Sequence, residues 1–247
     1  MLNATVVNRL DLTKDLLFLY IKPDYIIPDF LPGQYVALGL PDVKQDGEKL
    51  KLIKRAYSIG SAPSEKGFYE FYIAIVPDGM FTPLLCQIKP GDRIFVAPKV
   101  TGTFTLKNAP QNSNLILVST GTGIAPFMSM LRTPQTWING RRISIVHGVR
   151  YESDLAYADE LISLNKADKR LSYYPIVSRA AETWQGERGY VQRFFKEKII
   201  KLDPSKDHVY ICGNPAMIEE MQALLAEIGY TEHSKKQPGN LHLEKYW

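Results

Sequence analysis

Four short stretches of this chain carry residue types at spacings suited to holding a nucleotide. Gly121-Thr122-Gly123 ends the aliphatic run "ILVS" and opens an apolar, helix-like segment. Strand, glycine turn and helix in that order aim unpaired helical N–H groups at an anion, and glycine lets the backbone come close to it. The stretch is not the fingerprint G-x-G-x-x-G, because position 126 is Pro. In the first helical turn its missing N–H costs little. Cys212-Gly213-Asn214-Pro215 ends a second apolar run, at the strand end where ligands of open α/β sheets gather. In Arg55-Ala56-Tyr57-Ser58, strand alternation puts Arg55 and Tyr57 on one face and Ser58 on the other. A cation and a flat ring two positions apart can hold a phosphate and a planar heterocycle. Gly79-Met80-Phe81-Thr82 opens a short helix; Thr82 reads as its N-cap, and the amides after it as an anion site.

Each stretch taken alone also admits an ordinary role: an exposed Arg beside a core Tyr, a cap serving its own helix, a glycine turn that only packs. A third set of residues narrows the choice of nucleotide. Ser178-Arg179 follow the strand-like "SYYPIV", "GERGYVQ" supplies Arg188 and Tyr190, and Arg150 ends the preceding strand. A 2′-phosphate is a dianion that wants several cations, whereas the unphosphorylated ribose is met by a carboxylate. The pattern favours NADP(H).

The rest of the composition excludes more than it adds. Two cysteines, Cys86 and Cys212, rule out a disulfide scaffold and a four-cysteine iron–sulfur cluster within these residues. The four histidines show no paired metal spacing, and His147 and His208 read as structural. A formal charge of +4 is too small to argue for nucleic acid. No apolar run approaches the roughly 20 residues of a membrane helix, and charges interrupt the N-terminal region where an export signal would be apolar. A cytoplasmic monomer is the expectation.

These residues need strands and helices to position them. The first hundred residues hold short aromatic and β-branched runs between Pro and Gly turns: "LLFLYI", "GQYVALGL", "RAYSIGS", "FYEFYIAIV" and "DRIFVAPK". They predict a small antiparallel barrel with one short helix near 82–88. After the polar linker "KNAPQNSN" the strands "NLILVS", "RISIVHG", "SYYPIVS" and "HVYICG" alternate with helical patterns at 124–131, 154–164, 191–200 and 215–228. Such alternation predicts a parallel sheet.

"RAYSIGS", "PDGMFTPLL", "GTGIAPFMSML" and "CGNPAMIEEM" in this order, with the ending "EKYW", resemble the ferredoxin–NADP reductase family, in particular its bacterial ferredoxin/flavodoxin branch. The resemblance spans essentially the whole chain. It implies a six-stranded antiparallel Greek-key β-barrel binding FAD non-covalently over 1–108. A five-stranded parallel α/β domain binding NADP would cover 109–247, its tail returning to FAD. It gives Arg55 the FAD phosphate, Tyr57 the isoalloxazine ring and Ser58 the flavin N5, with Ala56 beside them. Tyr72, Ile73, Ala74, Gly79, Met80, Phe81 and Thr82 would complete the FAD site, and Trp247 would meet FAD from the tail. Gly121, Thr122 and Gly123 would lie under NADP, with Thr122 also reaching the flavin. Arg150, Ser178, Arg179 and Arg188 would hold phosphate, and Tyr190 would stack on adenine. Cys212, Gly213, Asn214 and Met217 would border the nicotinamide, Cys212 and Ser58 being the residues nearest the hydride. The activity implied is hydride transfer from NADPH to FAD, then one-electron steps to ferredoxin or flavodoxin, acidic carriers steered by cations such as Lys51, Lys54 and Arg93. A reductase serving an oxygenase or other acceptor, and a flavin-binding module without turnover, are the alternatives.

Overall fold

The structure is a computed structural model that describes residues 1–42 and 51–246. The backbone forms two compact units, Met1–Thr105 with Ala125–Thr133, and Leu106–Ile124 with Pro134–Trp247.

The first unit contains β1 (Ala4–Asp11), β2 (Leu16–Pro23), β3 (Tyr35–Pro41), β4 (Leu52–Ser58), β5 (Tyr69–Ala74), β6 (Arg93–Val96) and the short helix α1 (Thr82–Leu85). Its sheet runs β4-β3-β6-β1-β2-β5 with antiparallel pairings. The sheet curls until its edges meet, where the Gly60 N–H donates to the Glu70 carbonyl at 2.8 Å. β2 shows the period that drives this: Leu17, Leu19 and Ile21 are buried and the residues between them are not. Those side chains join Val36, Leu38, Phe71 and Phe81 in one apolar core. β1 is the strand missing from the quoted runs. Val6 pairs with Ile21 and Asn8 with Tyr20, so Val7 is an extra, bulged residue that breaks the alternation.

The second unit carries a parallel sheet of β7 (Asn114–Thr120), β8 (Ile143–Val149), β9 (Leu171–Val177), β10 (Glu187–Arg188), β11 (Asp207–Gly213) and β12 (Leu241–Lys245). Their order is β10-β9-β8-β7-β11-β12. The sheet has six strands where five were expected, because β10 spans two exposed residues and gives no apolar signal. The helices are α3 (Ala158–Ala167), α4 (Arg193–Lys196) and α5 (Pro215–Ala226). Tyr157 adopts φ +61°, so α3 starts after it rather than at 154. The pattern over 191–200 becomes only one helical turn, and Lys198 at φ +56° stops it. Met217, Ile218, Met221 and Leu225 of α5 are buried, as its stripe predicts, whereas Ile228 lies beyond the helix and is exposed. The helix α2 (Ala125–Leu131), buried along its whole length, belongs to the first unit.

No helix among the described residues is long and apolar enough to cross a membrane.

Candidate functional site

The strand order of the second unit sets where a ligand can bind. From β7 the chain continues to β8 on one side, while β11 later joins on the other. The crevice at the carboxyl ends of β7 and β11 is therefore the switch point of the sheet, where open α/β folds take ligands. Both glycine motifs lie there, since Ser119 pairs with Cys212.

The turn is fitted closely to its neighbour. A Cβ on Gly123 would collide with the Cys212 carbonyl, and one on Gly213, at φ +135°, with Thr120 Oγ1. Thr120 Oγ1 also accepts the Asn214 N–H at 2.9 Å. Gly121 differs: it has φ +52°, and a Cβ there would meet nothing within 4 Å. Its surroundings are open, so a side chain here would meet nothing and the backbone can be approached closely. His147, buried in β8, holds the turn from behind through Nε2 to the Gly121 carbonyl at 3.2 Å. Thr122 is buried within the turn.

Beyond β11, the Asn214 side chain accepts N–H groups from Ala216 and Met217 at 2.9 and 3.3 Å, capping α5. Met217 is buried in the core with Ile218 and Met221, so its side chain serves packing. The Cys212 thiol is buried, and burial, with the charge of Glu244, pushes its pKa well above the usual range against a hydrogen bond from Tyr246. It stays protonated and is no nucleophile. The Tyr246 N–H donates to the Gly213 carbonyl at 3.1 Å, which places the penultimate residue beside this motif. Trp247 lies outside the described residues.

The cations collect at the carboxyl ends of β8 and β9. Arg150 and Arg179 are exposed there, with the Arg179 N–H donating to the Arg150 carbonyl at 2.8 Å. Ser178 Oγ donates to the Val149 carbonyl at 3.2 Å, and Arg179 Nη1 lies 3.4 Å from the Tyr151 hydroxyl. Arg188 behaves differently. Its guanidinium donates to the carbonyls of Ala180, Ala181, Glu182 and Trp184, so it orders the loop that follows Arg179. Tyr190 is 73% exposed and borders a cavity of about 330 Å³ with Gln192, Arg193, Lys196, Glu197 and Glu220. Gln192 is buried; its Nε2 donates to Glu220 at 2.7 Å, and its Oε1 meets no partner among the described residues. The sequence reading passed over Gln192. It is the αR residue that precedes α4, in the turn closed by the Arg193 N–H on the Tyr190 carbonyl at 3.0 Å, and its spacing from Tyr190 carried no signal.

In the first unit, Arg55 and Ala56 are exposed on β4 and Tyr57 is half-buried. The Tyr57 ring packs 5.9 Å from that of Phe81 and 6.5 Å from that of Phe71, and burial pushes its hydroxyl pKa up. An exposed cation beside a seated ring fits a phosphate joined to a planar heterocycle. Ser58 is buried, and the segment after it is clasped by α2. Ser129 Oγ donates to the Ser61 carbonyl at 2.7 Å, and Arg132 Nη1 to the Gly60 carbonyl at 3.0 Å and Glu70 Oε1 at 2.8 Å. Ile73 and Phe81 point into the core; the Phe81 carbonyl accepts the Leu84 and Leu85 N–H groups at 3.0 and 3.3 Å, and Ile73 pairs with Leu17 of β2. Tyr72 is buried in a stack on Phe18 at 4.9 Å, Ala74 is half-buried, and Met80 is 66% exposed.

Thr82 corrects the sequence expectation. Phe81 is the N-cap and uses no side-chain bond; Thr82 is already helical. The Thr82 hydroxyl donates to the Val76 carbonyl and accepts the Val76 N–H, each at 2.9 Å, closing the turn that contains Gly79. A hydroxyl committed to a turn six residues back cannot cap its own helix. Two suggested steering cations are also committed: Arg93 pairs with Asp24, and Lys54 lies 4.2 Å from the Phe95 ring centre.

The oxidoreductase FAD-binding domain family matches residues 4–104 and the oxidoreductase NAD-binding domain family residues 117–223. The ferredoxin–NADP reductase of Pseudomonas aeruginosa is 35% identical over 229 residues, covering 87% of this chain and 86% of that protein. The chain belongs to the ferredoxin–NADP reductase family. The flavodoxin/ferredoxin–NADP reductase of Escherichia coli is 34% identical over 248 residues, covering 98% of this chain and 97% of its own length. The crystal structure of a ferredoxin NADP+ reductase from Neisseria gonorrhoeae with bound FAD and NADP superposes with a TM-score of 0.87 at 27% identity, covering 98% and 97% of the two chains. As a member of the ferredoxin–NADP reductase family, the chain is an oxidoreductase that binds FAD and NADP and has NAD(P)H-dependent flavin chemistry.

Proposed function

We propose that this reductase passes electrons between NADPH and a small acidic one-electron carrier, a ferredoxin or a flavodoxin. The observation that carries the NADPH part is the cationic edge at the ends of β8 and β9, beside the crevice of the two glycine turns. The carrier follows from relatives that match nearly end to end and are named for ferredoxin or flavodoxin.

Bound FAD supplies the interconversion of two-electron and one-electron transfer. The barrel, taken as residues 1–108, holds it: Arg55 against phosphate, Tyr57 against the ring, Ser58 at N5 and the 72–74 main chain alongside. The α/β domain, taken as 109–247, holds NADPH. Arg150 and Arg179 neutralise the 2′-phosphate beside Ser178, and Arg188 fixes the loop that aims Arg179. Tyr190 stacks on the adenine, and Gln192 Oε1 offers the acceptor its exocyclic amine requires. Gly121–Gly123 receive the pyrophosphate, and Cys212 with Gly213 shapes the nicotinamide end without donating or accepting a proton. Exposed lysines, Lys51 among them, steer the acidic carrier.

The test is cytochrome c reduction from NADPH by the FAD-loaded protein, with and without added ferredoxin or flavodoxin. Stimulation by a carrier, reduced at high salt, is the expected result. Turnover with NADPH that no ferredoxin or flavodoxin stimulates would overturn the carrier assignment. It would favour a different acceptor, as in the anthranilate 1,2-dioxygenase electron transfer component of Acinetobacter baylyi. That protein is 29% identical over 230 residues, but this chain covers 63% of it.

A further inference from the structure

His147 is an uneconomical residue to bury unless it is used. Its side chain is fully enclosed in β8, its Nε2 lies 3.2 Å from the Gly121 carbonyl, and its Nδ1 meets no hydrogen-bond partner among the described residues. A carbonyl only accepts, so Nε2 carries the proton and Nδ1 is a bare lone pair. Leaving that atom unsatisfied costs about 1–3 kcal/mol, which Leu or Phe at the same place would avoid. Burial also lowers the imidazole pKa to about 4, so the ring is neutral at physiological pH. What the residue provides in return is one bond, to one carbonyl of the glycine turn.

That carbonyl belongs to the first peptide of the 3-10 turn Gly121–Ile124, whose next three residues are buried. Gly121 adopts φ +52° with open space around its Cβ position. Glycine enters this positive-φ conformation at little steric cost, and the bond from His147 adds to what holds the peptide in it. A trans peptide is planar, with its C=O and the following N–H pointing in opposite directions. Holding the Gly121 oxygen back toward β8 therefore aims the Thr122 N–H away from β8, out of the sheet end.

We infer that His147 is a positioning residue of the dinucleotide turn, setting the Gly121–Thr122 peptide so that the Thr122 N–H faces the phosphates of the nucleotide. The inference rests on the reading of this crevice as the NADP site. Two ligands separate the contributions. NADP+ uses the turn, whereas adenosine 2′-monophosphate carries the adenine and 2′-phosphate but neither a 5′-phosphate nor the nicotinamide half.

Calorimetric titration of the FAD-loaded protein with both ligands is the test, on wild type, His147→Leu and His147→Gln. Gln places an amide N–H near the position of His Nε2; Leu fills the volume with no donor. In His147→Leu the NADP+ dissociation constant should rise about five- to tenfold, the loss of one neutral hydrogen bond. That of adenosine 2′-monophosphate should stay unchanged, and His147→Gln should recover most of the NADP+ loss. The Thr122 amide resonance should move in His147→Leu even without ligand. Equal loss for both ligands, or no loss for NADP+, overturns the inference. If His147→Leu fails to fold, His147→Asn takes its place: its amide stops short of the carbonyl, so Asn should bind NADP+ more weakly than Gln, and equality overturns the inference. A wild type that binds adenosine 2′-monophosphate and NADP+ poorly alike fails the functional reading itself, and the inference with it.

Discussion

At the scale of single residues, the choice of NADPH over NADH rests on a few side chains that the structure sorts by what they already do. Arg179 is exposed and its guanidinium lies 3.4 Å from the Tyr151 hydroxyl, whereas Arg188 donates to four loop carbonyls. Arg179→Ala should therefore raise the KM for NADPH about 10- to 100-fold, the worth of a charge-assisted contact, and leave the KM for NADH nearly unchanged. Steady-state kinetics with the two nucleotides decides it, and equal losses on both would move the phosphate site elsewhere. The motif residues were legible in the sequence because glycine turns at strand ends and arginines after strands leave local signals. The Thr82 hydroxyl was misread because its partner, Val76, lies across a turn whose closure no local pattern announces. His147 was legible only as a buried histidine; its purpose depends on β8 lying beside β7.

At the scale of elements, the helix following the glycine turn is anchored by polar groups that a pattern of apolar residues cannot reveal. Arg132 at the end of α2 meets Glu70 of β5 at 2.8 Å, with the Glu70 side chain 7% exposed. Arg132→Met should destabilise the protein by about 2 kcal/mol, because it strands a carboxylate out of water, and Arg132→Met with Glu70→Gln should recover part of that loss. Urea unfolding of wild type, the two single variants and the double variant measures it; an additive double variant would show that the pair is not coupled. The same elements show where sequence reading succeeds. Strands such as β2, with strict alternation, and parallel strands such as β7, buried nearly throughout, announce themselves. The bulged β1 and the two-residue β10 do not, since each is set by its neighbours rather than by its own periodicity, and the pattern over 191–200 overstates α4.

At the scale of the whole molecule, the histidines make stability depend on mild acid. All four lie in the second unit: His147 behind the glycine turn, and His208, His233 and His242 gathered at the other end of the sheet. There His208 Nδ1 lies 3.1 Å from His242 Nε2, and the His242 ring stacks on Tyr210 at 4.1 Å. Burial lowers the pKa of His147 to about 4, and burial with the neighbouring His208 and His233 lowers that of His242 to about 3. His208 is lowered by burial, Arg141 and His233, with Asp207 opposing. A histidine whose folded pKa lies below its unfolded value of about 6.5 gains its proton first in the unfolded chain. Its share of stability is therefore complete above pH 6.5 and is lost as pH falls from there toward the folded value. For His147 alone the loss is on the order of 3 kcal/mol by pH 4. The carboxylates held low by cations, Asp24 beside Arg93 and Asp203 beside Lys206 among them, lose their contribution only below the usual carboxylate range. The two sets of groups thus act in separate windows. The unfolding free energy should hold from pH 8 to 7 and fall between pH 6.5 and 5, before the carboxylates titrate. His242→Phe keeps a ring against Tyr210 and removes one titrating group, so its fall over that interval should be shallower than that of wild type. Urea unfolding at pH 7.5, 6 and 5 measures both, and a flat wild-type profile across that interval would show that the rings take up protons without unfolding the sheet end they occupy.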